Sequence, residues 1–270
     1  MPTPRHIKHY LLTNMPKDYY NVKAVDRKLA SVCIKDSHVF CDVGGGWGVD
    51  ALYFASFALF GVCLDINFEE LRKGVETSDK VGLHDKIDYV RATATYLPFC
   101  SDSFDVVTSF SVIDHLGSKK DAFMALKEFS RIAKPRGYIV VTVPNKLFIP
   151  GTALMKIKAL IQPWSFFEQR FTPKELMKYF HACGLTVFKY DSKQPTNIGT
   201  TVLRHNLPII AQRLPACLAA SLFRVAERIL GLAEGPLRLT LLGARFGVAS
   251  QKDRPSPLNG KMFFTGLEWM

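Results

Sequence analysis

The sequence lacks paired cysteines. Its six cysteines, at positions 33, 41, 63, 100, 183 and 217, form no C-x-x-C pair and no short His/Cys cluster, which argues against a structural zinc site and a disulfide framework. No metal is expected, and a reducing cytosol is the expected home. A bilayer-length apolar run is also missing. The longest uncharged apolar stretch, between Asp50 and Asp65, has 14 residues, short of the roughly 20 that a spanning helix needs. The start of the chain scatters charge and holds no apolar h-region, so no secretory signal is expected. There is no internal repeat or low-complexity tract, and the 48% apolar and 22% charged residues are close to globular averages.

Acid is the scarce charge. Asp and Glu number 24 against 35 Lys and Arg, a net charge of +11. Residues 1–38 carry +4, 39–150 carry −2, 151–240 carry +7 and 241–270 carry +2. The basic excess therefore lies outside the central block, on surfaces that are either simply solvated or able to meet anionic lipid headgroups or RNA.

Short apolar runs at His38–Val43, Gly61–Asp65, Ile87–Arg91, Phe104–Phe110 and Tyr138–Val143 read as strands. Helical patterns separate several of them, at Val49–Phe57, Phe68–Thr77 and Lys120–Ala133, the last stopped by Lys134-Pro135-Arg136-Gly137. Strands joined by crossover helices imply a parallel, doubly wound α/β sheet. A further helix at Pro173–Cys183 passes through Gly184 into a strand at Leu185–Tyr190, and Leu241–Ala249 reads as a last strand. One domain over residues 1–250 is expected, with a helical insertion at 192–238 and an unassigned tail at 251–270.

The strongest chemical signal is Asp42-Val43-Gly44-Gly45-Gly46-Trp47-Gly48, where the first strand hands over to the first crossover helix. Glycines there let backbone N–H groups approach a ligand. The spacing departs from the dinucleotide fingerprint, because Val49 stands where its third glycine would be. A carboxylate at Asp42 would repel a pyrophosphate and favour a ligand carrying an ammonium group. Asp65 ends the next strand, 21 residues beyond Gly44, close to the spacing of roughly 20 at which an acid accepts hydrogen bonds from ribose hydroxyls. Ile66 and Thr93-Ala94 would then flank a base, with Leu97-Pro98-Phe99 closing that side.

In these features the sequence resembles the class I S-adenosylmethionine-dependent methyltransferases, in particular the small-molecule group that includes the ubiquinone and menaquinone methyltransferases. Asp42–Gly48 is similar to the family's first motif and Asp65 to its acidic ribose ligand. Further similarity lies in Leu97-Pro98-Phe99 with Ser103–Val107, in Ser109–Leu116, and in Glu128-x-x-Arg131-Ile132-x-Lys134-Pro135-x-Gly137. The resemblance spans roughly residues 38–190. It implies a Rossmann-like seven-stranded sheet of order 3-2-1-4-5-7-6 with strand 7 antiparallel, and S-adenosyl-L-methionine as cofactor. The implied cofactor-binding residues are Asp42, Gly44, Gly45, Gly46, Gly48, Asp65, Ile66, Thr93, Ala94, Leu97, Phe110 and Tyr20. Thr93 stands where many relatives have an Asp facing the adenine amino group, which lowers the expected adenine affinity. Gly45 and Arg136 also depart from the common pattern.

S-adenosylmethionine carries an already activated methyl, so few catalytic residues are required. His115 sits after the fourth strand and reads either as the base that deprotonates a hydroxyl or as a lining residue. Asp114 beside it is a candidate substrate ligand, and no dyad follows from adjacency alone. Tyr19-Tyr20 either cover the methionine moiety or start an amphipathic helix. Trp164, Phe166 and Phe167 read as substrate contacts or as core. Residues 215–234 form an amphipathic pattern with Arg224 and Arg228 on one flank, for which a lid, plain core and an anionic membrane interface stay open.

The expected activity is methyl transfer to a small, largely apolar acceptor of quinone, isoprenoid or lipid-like type. The alternatives are an RNA or protein methyltransferase and a nicotinamide-dependent oxidoreductase. Nucleic acid is not the expected partner, because no N-P-P-Y motif and no RNA-binding signature is present. The expected location is cytoplasmic, with peripheral membrane attachment as an option.

Overall fold

The computed structural model describes residues 2–15, 26–147, 168–193, Leu218 and 245–253. The readings of Tyr19-Tyr20, of Trp164, Phe166 and Phe167, and of the 215–234 amphipathic pattern apart from Leu218 lie outside these residues. Seven strands form one sheet: β1 (Val39–Val43), β2 (Phe60–Asp65), β3 (Ile87–Arg91), β4 (Phe104–Phe110), β5 (Ala133–Pro144), β6 (Leu185–Lys193) and β7 (Arg245–Lys252). Their order is β3-β2-β1-β4-β5-β7-β6. The first five pair in parallel, and β7 runs antiparallel to both β5 and β6.

Alternation along the strands sorts side chains to two buried layers. Phe40, Val106, Val140 and Ala249 pack with Ile7 and Leu11 of α1 (Pro4–Asn14), with Leu29 and Ala30, and with Leu52 and Phe54 of α2 (Val49–Ala55). Cys41, Val43, Val107, Ile139 and Val141 face the other way, onto Ala122, Leu126 and Phe129 of α4 (Lys119–Ile132) and Leu176 and Phe180 of α5 (Pro173–Ala182).

Local chemistry marks the helix ends. Asn67 caps α3 (Phe68–Lys80) by accepting from the Glu69 and Glu70 amides, and Ser118 caps α4 by accepting from the Asp121 amide. Thr172 and Glu175 form a reciprocal capping box with Pro173 in the first turn of α5, and Gly184, at φ +69°, follows its end.

Several boundaries differ from expectation; β6, for one, runs through Lys193 and takes in the first two residues of the expected insertion. Lys134-Pro135-Arg136-Gly137 is not a turn ahead of the fifth strand but part of it: Ala133 pairs with Phe104, pairing resumes at Tyr138 with Val106, and the intervening residues bulge out with Arg136 at φ +67°. Gly137 makes this bulge possible, since a Cβ there would meet the Lys134 and Asp105 carbonyl oxygens at 2.8 and 3.0 Å. The last strand continues past Ala249 and pairs through Lys252, so it takes in the first two residues of the expected tail. Among the described residues, no helix is long and apolar enough to cross a membrane.

Candidate cofactor and active site

The carboxyl ends of β1, β2 and β4 converge on the glycine loop. Gly44 and Gly45 donate their amides to the Leu64 carbonyl at 2.6 and 3.1 Å, which folds the loop over the end of β2. Gly44, Gly46 and Gly48 adopt φ of +72°, +57° and +83°, a region that side chains disfavour. A Cβ on Gly44 would collide with the γ-methyls of Val112, and one on Gly45 would lie 2.7 Å from Asp42 Oδ2. Above Gly46 the space is open, with Glu70 Oε2 the nearest atom at 3.6 Å from where a Cβ would stand. The loop is thus packed tightly from beneath and open at Gly46, the cradle that a ligand approaching backbone requires.

Asp65 uses both oxygens to shape this cradle, accepting the Gly46 amide at 2.8 Å and the Asn67 amide at 2.9 Å. Each oxygen keeps a further lone pair for a ribose hydroxyl. Asp42 sits lower than expected. It is 1% exposed and accepts the Thr108 hydroxyl at 2.7 Å, so its carboxylate supports the loop from below. A bound ammonium would feel that charge across the loop.

Ile66 and Phe68, just past β2, and Tyr96, in the loop that follows β3, are 66%, 56% and 78% exposed, large apolar faces turned to solvent. The sequence reading named only Ile66. An aromatic three residues past the acidic strand end, Phe68, is a signal that could have found the second of them. Thr93 places its hydroxyl 3.1 Å from that of Thr95. Ala94 and Leu97 are buried in the core, and the Phe110 ring packs against Phe54 with centroids 6.4 Å apart. These three therefore shape the site from behind rather than line it with their side chains.

The loop carrying Leu97 and Phe99 is clamped by two residues of α4. Arg131 donates to the Leu97 and Phe99 carbonyls and to Glu128, while Glu128 accepts the Leu97 amide. The Arg131 hydrogen bond holds the Glu128 carboxyl below its ordinary value of 4.5, with burial opposing and the Leu97 amide assisting. A group whose folded value is depressed adds stability that is complete above its unfolded value and is lost as pH falls through the folded one. Glu128→Gln is therefore expected to lower stability by about 1–3 kcal/mol at pH 7. The gap to the wild type should narrow on acidification below pH 4.5. Urea midpoints at pH 7 and in the acid range check this, and an equal gap at both would contradict it.

Past β4, Asp114 and His115 turn the same way: His115 Nε2 lies 3.5 Å from Asp114 Oδ2, with the acid 1% exposed and the imidazole 39%. The chain returns to this point at residues 168–171. Gln169 donates its amide to the Asp114 carbonyl, and Arg170 pairs with Glu168 at 3.0 Å. Burial pulls the Arg170 guanidinium below its ordinary value, against Glu168 and then Asp114. Neither Gln169 nor Arg170 carried a sequence signal, since both follow a segment without recognisable pattern. Among the described residues, no group of three or more His, Cys, Asp or Glu is arranged to hold a metal.

Residues 41–141 match the family described as "Methyltransferase domain". They form a class I S-adenosylmethionine-dependent methyltransferase domain. The cofactor of this domain is S-adenosyl-L-methionine, and the open cradle at Gly46 with Asp65 at its edge suits an adenosyl group carrying a short zwitterionic chain. The domain is 34% identical over 118 residues to a ubiquinone/menaquinone biosynthesis C-methyltransferase of Pseudoalteromonas translucida, covering 42% of this chain and 45% of that protein. It is 33% identical over 104 residues to a sarcosine/dimethylglycine N-methyltransferase of Aphanothece halophytica, covering 38% and 36%. The chain thus spans under half the length of each of these relatives. A solved geranyl diphosphate methyltransferase in complex with S-adenosylmethionine shares the fold, with a TM-score of 0.58 at 12% identity over 84% of this chain and 85% of that one. The methyltransferase match ends before Asn145 and Gln169.

Proposed function

We propose that the protein transfers the methyl group of S-adenosylmethionine to a small, largely apolar acceptor of quinone, isoprenoid or lipid-like type, with His115 as the base. The observation that carries the reading is the continuity of the site. Val112 packs on Gly44 of the cofactor loop, and the His115 amide donates to the Val112 carbonyl at 2.9 Å. The imidazole is thereby held one turn from the cradle.

S-adenosylmethionine, when bound, supplies a methyl already activated on a sulfonium. The chain's own residues do the rest. The glycine loop and Asp65 hold the adenosyl end, and Asp42 below the loop favours a cationic ligand. Nε2 of His115 faces Asp114 Oδ2 at 3.5 Å; protonated on that side, the imidazole keeps its lone pair on Nδ1, which takes the proton of an acceptor hydroxyl. Asp114 steadies the imidazolium that results.

An apolar acceptor is supported by the quinone named for the Pseudoalteromonas relative and by the Phe, Leu and Ile in residues 146–172 and 192–238. The sarcosine relative favours a second reading, a small polar amine. Two measurements test the proposal. Calorimetry should show binding of S-adenosylhomocysteine and none of NADH, the reverse being the result for a nicotinamide enzyme. Incubation of cell extract with tritiated S-adenosylmethionine should place label in the organic-extractable fraction. Label confined to RNA, protein or water-soluble amines would overturn the acceptor class.

A further inference from the structure

Gln169 is 7% exposed and grips the chain on both sides of His115. Its backbone amide donates to the Asp114 carbonyl at 2.6 Å, and its side-chain Nε2 donates to the Leu116 carbonyl at 2.6 Å, reaching across 53 residues of sequence. The Asp114 carbonyl belongs to the peptide that enters His115, and the Leu116 carbonyl to the one that leaves Leu116. Two short bonds at these points fix the backbone that carries the imidazole, and so the direction of its Cα–Cβ bond.

Gln169 is itself anchored. Phe171 bridges to Asn145 at the end of β5, with its amide on the Pro144 carbonyl at 3.3 Å and its own carbonyl accepting the Lys146 amide at 2.9 Å. Asn145 is fully buried. The register is thus transmitted from a central strand, through residues 169–171, to His115.

We propose that Gln169 is a positioning residue: by bonding the carbonyls on either side of His115 it sets the direction of the imidazole toward the acceptor. The proposal rests on the reading of His115 as the base. A glutamine that merely satisfied buried carbonyls would affect stability and leave the ring's surroundings unchanged, whereas a positioning residue controls the ring. Displacements of about 1 Å at a reacting group cost up to roughly a hundredfold in rate.

The test uses the full chain with S-adenosylhomocysteine bound. The protein has seven histidines, and the Cε1–Hε1 NMR signal of His115 is identified by its loss in His115→Ala. Gln169→Met keeps the backbone bond and the side-chain length but removes the Nε2 donor. It is expected to shift or broaden the His115 signal, with S-adenosylhomocysteine affinity held within twofold. An unmoved His115 signal overturns the proposal, and so does an equal disturbance of all the histidine signals. Should Gln169→Met fail to fold, Gln169→Asn, which keeps an amide on a side chain one methylene shorter, is judged by the same criteria.

Methyl transfer from tritiated S-adenosylmethionine to a prenylated hydroquinone supplies a second readout. Gln169→Met should lower turnover at least about tenfold in the wild type and add nothing in a His115→Ala background. Equal losses in both backgrounds contradict positioning through His115. If His115→Ala itself leaves turnover intact, it is the base reading that fails, and the NMR signal still decides whether Gln169 holds the ring.

Discussion

A Gly44→Val protein is expected to fold and to lose S-adenosylhomocysteine binding. Gly44 stands at φ +72°, where a β-branched residue is strained by about 1–3 kcal/mol. Its new γ-carbons would also have to share space with those of Val112, which already lie within contact of a Cβ at this position. Overpacking of that kind costs roughly another 1–3 kcal/mol. The loop relieves both by lifting from the Leu64 carbonyl, and the cradle goes with it. At about 1.4 kcal/mol per tenfold, the affinity falls by roughly 30-fold to 10⁴-fold.

Gly46→Ala is the comparison that makes this specific. It also has positive φ, but its Cβ meets nothing closer than 3.6 Å, so in the absence of ligand its loop should hold. Asp65→Ala should also abolish binding, because it removes the proposed ribose acceptor and the anchor of the Gly46 amide together. Calorimetry on the variants, with thermal melts to confirm folding, decides the matter. Full affinity in Gly44→Val or Asp65→Ala would remove the cofactor assignment from this loop.

His115→Ala is expected to reduce turnover about 10²-fold or more, the usual contribution of a positioned base, while S-adenosylhomocysteine affinity stays within twofold. The split follows from geometry. The imidazole is 39% exposed and lies 3.5 Å from Asp114, and the bonds that shape the cradle come from Leu64 and Asp65. Steady-state turnover with a hydroxyl-bearing acceptor, beside a binding isotherm, checks both halves. Turnover that survives intact would make His115 a wall residue of the cofactor site.

Much of the fold was legible because its determinants are local. The strands at Ile87–Arg91 and Phe104–Phe110 are found with the boundaries read from the apolar runs. The glycine loop with Asp65 reads directly too, since positive φ and an acidic strand end are properties of single residues at fixed offsets. The two antiparallel pairings of β7 and the 3-2-1-4-5-7-6 order agree with the family resemblance, which rests on several motifs in a fixed order rather than on any one of them.

What the chain by itself determined is therefore the set of elements, the glycine loop proposed to hold the cofactor, and the acid at its edge. Tertiary structure decided which side chains press on them. Val112 fills the space beneath Gly44, Thr108 donates its hydroxyl to Asp42 Oδ1, and Phe110 turns its ring toward Phe54 in the core. Arg131 closes the loop at Leu97 and Phe99, and Gln169 brackets His115 by reaching Leu116 across 53 residues. Each of these contacts joins residues whose separation along the chain carries no periodic or spacing signal. Their meeting depends on strand register, on the hand of the crossovers and on the bulge that begins β5, none of which is encoded within reach of either partner.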